Sequence, residues 1–265
     1  CFIDSICHVI EERGIDAVLI AGDVFDHSVA SSEAIALYDE AMTRICLELH
    51  TPALVIAGNH DNPERLSSCG KLLEQAQLYV AGTYRRDRLP IQFNDTEIFL
   101  IPWLTEARVK SEFPEKSSQI KTLSDAYRVV TDDIQARFTP GVRHFALTHA
   151  FLANSETSES DRAAELGFAV QVNASVFDCF DYVALGHIHK PQNVNSHVRY
   201  SGTPMPYSYG KEERQIKSVT IVDTETMQIE TEPLHMLHKR STLKGTFDEL
   251  INSHYSPEVQ QGYVR

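Results

Sequence analysis

Cysteine is sparse and without pattern in this chain. Cys1, Cys7, Cys46, Cys69 and Cys179 stand far apart, and none falls in a C-x-x-C pair. The odd number and the spacing exclude a disulfide framework and a zinc knot, and the thiols read as the reduced thiols of a cytoplasmic protein. Long apolar runs are missing too: nothing approaches the roughly 20 apolar residues that span a bilayer, so no membrane partner is expected. Cys1-Phe2-Ile3-Asp4 carries no basic stretch ahead of an apolar one, so no secretory leader is read there. Positive charge is short. Against 37 Asp and Glu stand 24 Lys and Arg, a net charge of −13, which excludes a broad basic surface wrapped in nucleic acid. It does not exclude an enzyme of phosphodiesters, because bound divalent cations are often the largest local charge in a site and reverse its sign. An initiating methionine is absent as well, and from the opening Cys1 a fragment or a processed chain is expected.

What is present describes a globular protein. Hydrophobic residues at 42% and charged residues at 23% are ordinary for one large domain or two small ones. Phe2, Ile6, Val9 and Ile10 share a helical face that Glu11-Glu12-Arg13-Gly14 ends. Ala17–Ala21 is a buried-strand run, a helix from Ser31 or Ser32 to Leu49 follows, and Ala53–Ala57 is a second such strand. Further strands are read at 97–101, 144–148, 182–185, 198–200, 218–222 and 228–230, with a long amphipathic helix from Ile120 to Phe138. Helix alternating with buried strand predicts an α/β fold with a partly parallel sheet, and a βαβ unit would place one more strand upstream of the first helix. Residues 154–165 are polar and are expected to form a mobile loop. Residues 1–233 read as one domain, and 234–265 as a linker and the start of another unit.

Chemistry gathers at the strand ends. Strand 17–21 runs into Gly22-Asp23-Val24-Phe25-Asp26, strand 53–57 into Gly58-Asn59-His60-Asp61, and strand 182–185 into Gly186-His187-Ile188-His189; strand 144–148 delivers His149. In open α/β sheets the carboxyl ends of the strands line the ligand crevice, so these loops could converge. Carboxylate, amide oxygen and imidazole without sulfur suit manganese, iron or zinc, and manganese tolerates the oxygen share best. Each piece has a plainer account. Gly-Asp is usually a turn, Asn-His-Asp is turn chemistry, His-x-His is a surface pair, and a lone His149 is an interior histidine. Four such pieces, each at a strand end, favour the metal site.

Together these motifs resemble those of the calcineurin-like metallophosphoesterases: D-x-H, G-D-x-x-D, G-N-H-[DE], a lone His and G-H-x-H. Four of the five stand here, as GDVFD at 22–26, GNHD at 58–61, His149 and GHIH at 186–189. Within the superfamily, AGDVFD, VIAGNHD, DYVALGHIHKPQ and VRYSGTPMPYS read like the SbcD-type nuclease subunits. The resemblance implies a sandwich of two mixed β-sheets flanked by helices (α/β/β/α) and two divalent metal ions, with Mn2+ the expected ion. It makes Asp23 the bridge between the metals, Asn59, His149 and His187 ligands of one site, and His189 a ligand of the other. His60 becomes the catalytic histidine at the leaving group, Asp61 its orienting partner, and Asp26 an outer residue. It further implies a DNA substrate, 3′→5′ exonuclease and single-strand endonuclease activity, an SbcC-type ATPase partner and a homodimer of the full-length protein. The missing D-x-H motif belongs on the strand expected upstream. Two rivals remain: a phosphoesterase of small phosphodiesters, and an inactive subunit that holds DNA ends or the ATPase.

Overall fold

Period-two alternation along the strands decides the architecture, which a computed structural model describes for residues 2–158, 160–161, 171–236 and 238–265. Strands β1 (Val18–Ile20), β2 (Ala53–Ile56) and β3 (Leu78–Ala81) make a parallel sheet in that order. On β2, Ala53 and Val55 join Ile10, Met42, Ile45 and Cys46 of the helices Phe2–Arg13 and Ser32–Met42 and the π-turn Thr43–Glu48. Leu54 and Ile56 face the other way, against Ile98, Leu100, Phe145, Leu147 and Tyr182. Successive residues of a strand present opposite faces, so one strand serves two cores.

Those last residues belong to a second sheet. It contains β4 (Ile91–Phe93), β5 (Thr96–Ile101) and β6 (Arg143–His149); β7 (Phe151–Leu152) and β8 (Gln171–Val172) pair beside it. With β9 (Tyr182–Gly186), β10 (Gln192–Asn193) and β11 (Val198–Tyr200) its order is β10-β11-β9-β6-β5-β4. The four inner strands are parallel and the two edges antiparallel. On its outer face Phe99, Ile101, Ala146, Val183 and Leu185 pack against Tyr127, Val130 and Ile134 of the helix Leu123–Gln135. Helices, sheet, sheet and helices form four layers, the α/β/β/α sandwich expected.

Most expected elements fall within a residue or two of those observed. Ser31 caps its helix, its Oγ accepting from the Ala34 N–H at 3.2 Å. The helix expected from Ile120 to Phe138 is the shorter Leu123–Gln135, closed by a Thr122/Asp125 capping box, while Ile120 and Phe138 reach the same core from its flanks. The helix expected to run to Leu49 changes at Met42 into the π-turn, and β3 is a strand that the sequence pattern does not announce. Of the loop expected at 154–165, positions 159 and 162–165 lie outside the described residues. Cys7, Cys46, Cys69 and Cys179 are free thiols. Among the described residues no helix is long and apolar enough to cross a membrane.

Leu147 sits fully buried between the sheets on the strand that delivers His149. Leu147→Ala is expected to lower the free energy of unfolding by about 2–5 kcal/mol. Leu89→Ala, at a side chain 76% exposed, should change it by less than about 0.5 kcal/mol; equilibrium denaturation of both variants checks the contrast.

Candidate metal centre

Two sheets meet at their carboxyl ends so closely that side chains are excluded from the backbone there. A Cβ on Gly58 would lie 2.1 Å from Asp23 Oδ1, and one on Gly186 would lie 1.8 Å from the Ala21 carbonyl oxygen. Any residue larger than glycine would push the β1 loop away from the loops after β2 and β9. Asp23 and His187 themselves adopt φ of 50° and 100°, left-handed conformations that cost L-residues energy and cluster at functional sites.

The side chains that this packing gathers are all acceptors. Asn59 Oδ1 lies 3.0 Å from His149 Nε2 and 3.0 Å from His187 Nδ1, and the two nitrogens are 3.3 Å apart. Asp23 Oδ2 is 3.2 Å from His149 Nε2. His149 Nδ1 sits 2.7 Å from the Ala21 carbonyl oxygen, so the ring proton belongs on Nδ1 and the neutral ring turns an Nε2 lone pair into the cluster. A lone pair, an amide oxygen and a carboxylate thus face one another in a buried place, which is favourable only around a proton or a cation. The backbone carbonyl behind His149 fixes its tautomer as outer partners of metal-bound histidines do. Asp23, His149 and His187 bring ligand atoms within 4.8 Å of one another, and with Asn59 they fit a divalent cation of the manganese, iron or zinc class.

The electrostatics agree. Burial pushes the Asp23 carboxyl up, but His149 and the His60 N–H, which donates to Oδ1 at 3.0 Å, outweigh it and hold the carboxyl below the usual range. Burial pushes His149 down, and the Asp23 carboxylate more than reverses that. A proton on His149 does for the acceptors what a cation would do. Burial, then the charge on His149, drives His187 down to about 3, so its ring is neutral near pH 7, as a ligand must be.

The remaining expected residues divide. His60 lies beside the cluster, its Nδ1 2.9 Å from the Asp26 carbonyl oxygen and 3.6 Å from the Asp26 carboxylate. Asp61 does not take the orienting role expected of it. Its carboxylate instead accepts from the Gly58, Phe25 and Val24 N–H groups at 2.8, 2.9 and 3.2 Å, which clamps the β1 loop to the β2 loop, and the contacts on the His60 ring come from Asp26. His189 stands apart from the Asp23 cluster. Its Nδ1 meets Ser160 Oγ at 2.6 Å, and its backbone N–H donates to Asp161 at 3.1 Å. His144, to which no chemistry is assigned, is an interior ring stacked on Phe138 with centroids 3.7 Å apart.

Several residues at the centre carry no motif. Trp103 stacks on His187 with centroids 5.4 Å apart and meets His149 edge-on at 5.9 Å; as the only tryptophan it could have been singled out. Ser160 and Asp161 lie in a stretch whose composition reads as solvent-facing. Lys217 and Glu212 form an ion pair whose side chains are both 0% exposed. The Lys217 ammonium donates to Glu212, Gln215 and Thr203 side chains at 3.1, 3.1 and 3.0 Å, and to the His189 carbonyl at 3.0 Å. It thereby fixes the backbone of the second histidine of GHIH.

A crevice between the carboxyl ends of two sheets, lined by acceptors for a divalent cation, defines a metal-dependent phosphoesterase. The chain belongs to the calcineurin-like phosphoesterase family, whose profile matches residues 3–191. Over 257 residues it is 31% identical to the SbcD component of nuclease SbcCD from Staphylococcus epidermidis (strain ATCC 12228 / FDA PCI 1200), a match spanning 96% of this chain and 68% of that protein.

Removing Lys217 alone would strand a buried carboxylate. Lys217→Met is expected to destabilise the protein by about 3–5 kcal/mol, and the double change Glu212→Leu/Lys217→Met by less than Lys217→Met alone. Chemical denaturation of both checks the order; a double variant less stable than Lys217→Met would contradict it.

Proposed function

We propose that this chain is the catalytic part of a DNA nuclease subunit that hydrolyses phosphodiester bonds with two divalent cations, manganese in preference. The observation that carries the reading is the acceptor cluster of Asp23, Asn59, His149 and His187 with His60 beside it, all at strand ends. Bound cations would neutralise the phosphate's charge and lower the pKa of the attacking water. The chain's own residues do the rest. Asp23 bridges, the two imidazoles and Asn59 complete one site, and His189 serves the other. Because Nδ1 of His60 is engaged by the Asp26 carbonyl, Nε2 is the atom that gives or takes the proton at the leaving oxygen.

The likeness to an SbcD-named protein supports DNA as substrate, 3′→5′ exonuclease and single-strand endonuclease action, an SbcC-type ATPase partner and a cytoplasmic homodimer of the full-length protein. Residues 1–233 would be the nuclease domain, and 234–265 the passage into a further unit. Two features favour this over other branches of the family. His27-Ser28 follows Asp26 where protein phosphatases carry Arg-Gly, and the stretch 190–208 resembles SbcD rather than the cyclic-nucleotide phosphodiesterases. Manganese-dependent cleavage of single-stranded and hairpin DNA by the full-length protein, with and without its ATPase partner, tests the reading.

Two variants divide the roles. His60→Ala is expected to keep its metal content and lose on the order of a hundredfold or more in cleavage rate, because one acid–base contribution is removed. Elemental analysis and rate measured on the same sample check this; lost metal would make His60 a ligand. Asp23→Asn is expected to impair cleavage more than any single histidine change, since a bridging carboxylate also screens the repulsion of two cations. Calorimetry that still found two tight manganese ions in Asp23→Asn would remove Asp23 from the bridge.

A further inference from the structure

Beside His189 the chain presents an exposed apolar surface that the hydrolytic chemistry does not use. The Tyr207 ring lies 5.6 Å from the His189 ring at 61°, yet the residue is 48% exposed, and its neighbour Met205 is 45% exposed. The phenol feels the site. Burial first, and then the negative charges of Asp26, Glu212 and Asp23, push its hydroxyl up, so Tyr207 stays a neutral ring near pH 7 and is no base.

The loop that carries this ring is built rather than loose. Gly202 has φ of 76° and lies against the Pro191 ring, where a Cβ would sit 2.7 Å away. The Thr203 N–H donates to the His189 carbonyl at 3.2 Å, and Thr203 Oγ1 donates to the Met205 carbonyl at 2.9 Å. Lys217 bonds Thr203 and the His189 carbonyl together. Arg240 holds the Pro206 carbonyl at 2.8 Å, and the Ser208 hydroxyl holds Glu212 at 2.6 Å. Prolines on either side of Met205 remove further backbone freedom. The ring is thus fixed relative to a metal ligand before any substrate arrives, and a pre-ordered surface loses little entropy on binding.

We propose that Tyr207, with Met205 beside it, is a stacking platform for a nucleobase of the strand whose phosphodiester lies at the metal centre. The proposal rests on the nuclease reading and adds the part that grips the base. The charge of the chain favours it. At −13 net charge the protein has little basic surface to hold phosphates, whereas stacking on an aromatic ring needs no positive charge and tolerates any sequence. Tyrosine with methionine gives a flat ring and a polarisable edge, both suited to a base's π-face.

The test uses the full-length protein and single-stranded oligonucleotides that are intact or carry one abasic residue walked along the strand. Binding is read by fluorescence anisotropy without metal, and KM and kcat are read with manganese. One abasic position next to the cut should weaken the wild type by roughly fivefold to a hundredfold. Tyr207→Leu should weaken the intact strand by a similar factor and the abasic strand hardly at all, while Tyr207→Phe keeps wild-type discrimination. Equal loss on both strands, as expected if another protein segment covers Tyr207, would overturn the proposal. So would the absence of any base effect in the wild type, or a Phe variant as weak as the Leu variant. Failure of the wild type to cleave either strand would instead strike the nuclease reading, and the binding arm would still decide the platform.

Discussion

Backbone crowding at the crevice is the constraint from which the other properties of the centre follow. Gly58 and Gly186 admit no Cβ because the β1 loop lies against the loops after β2 and β9. That closeness brings Asp23, Asn59, His149 and His187 to about 3 Å from one another. At such range acceptors repel unless a positive charge sits among them, so the crowding that forms the pocket also creates its affinity. Asp61 maintains the crowding, its carboxylate accepting from three backbone N–H groups on the two loops. The favourable packing of two sheets elsewhere offsets the strain and desolvation concentrated here.

Much of this was legible in the sequence, for a physical reason. The inner strands are short apolar runs closed at once by glycine and a polar residue, so each marks its own end, and the ligands stand directly after those ends. The four-layer order followed from the family likeness, and the period-two alternation of β2, β5 and β6 explains it. What could not be read depends on partners distant in the chain. β3 is preceded by Gln77, a residue that takes positive φ (59°) without the glycine or asparagine that usually signals such a turn. Asp161 looks like any loop carboxylate until His189 donates to it. Lys217, in a stretch of charged residues, would be taken for a solvated cation; its burial depends on Glu212, Gln215, Thr203 and the His189 carbonyl meeting at one point. Asp61 illustrates the limit from the other side: its position was right, but its bonding partners were visible only in three dimensions.

The two histidines of GHIH live in different surroundings although only one residue separates them. His187 is packed among rings and kept neutral by burial, which suits a ligand held in a fixed, dry position. His189 is half open, bonded through Ser160 and Asp161 on one side and Tyr207 on the other, with its backbone anchored by Lys217. The first is defined by the sandwich core. The second is defined by segments outside it, from residues 160–161 and 203–217, so its geometry answers to parts of the chain that contribute little to the cores.

The aromatic wall of the crevice has a practical consequence. Trp103 is the only indole in the chain, and it lies flat on one metal-ligand ring and edge-on to another. Ultraviolet emission from this protein therefore originates at a single point, in van der Waals contact with the place where cations would enter. Nature has in effect installed a spectroscopic probe at the centre, and occupancy by manganese, a paramagnetic quencher, can be followed by light alone without label or substrate.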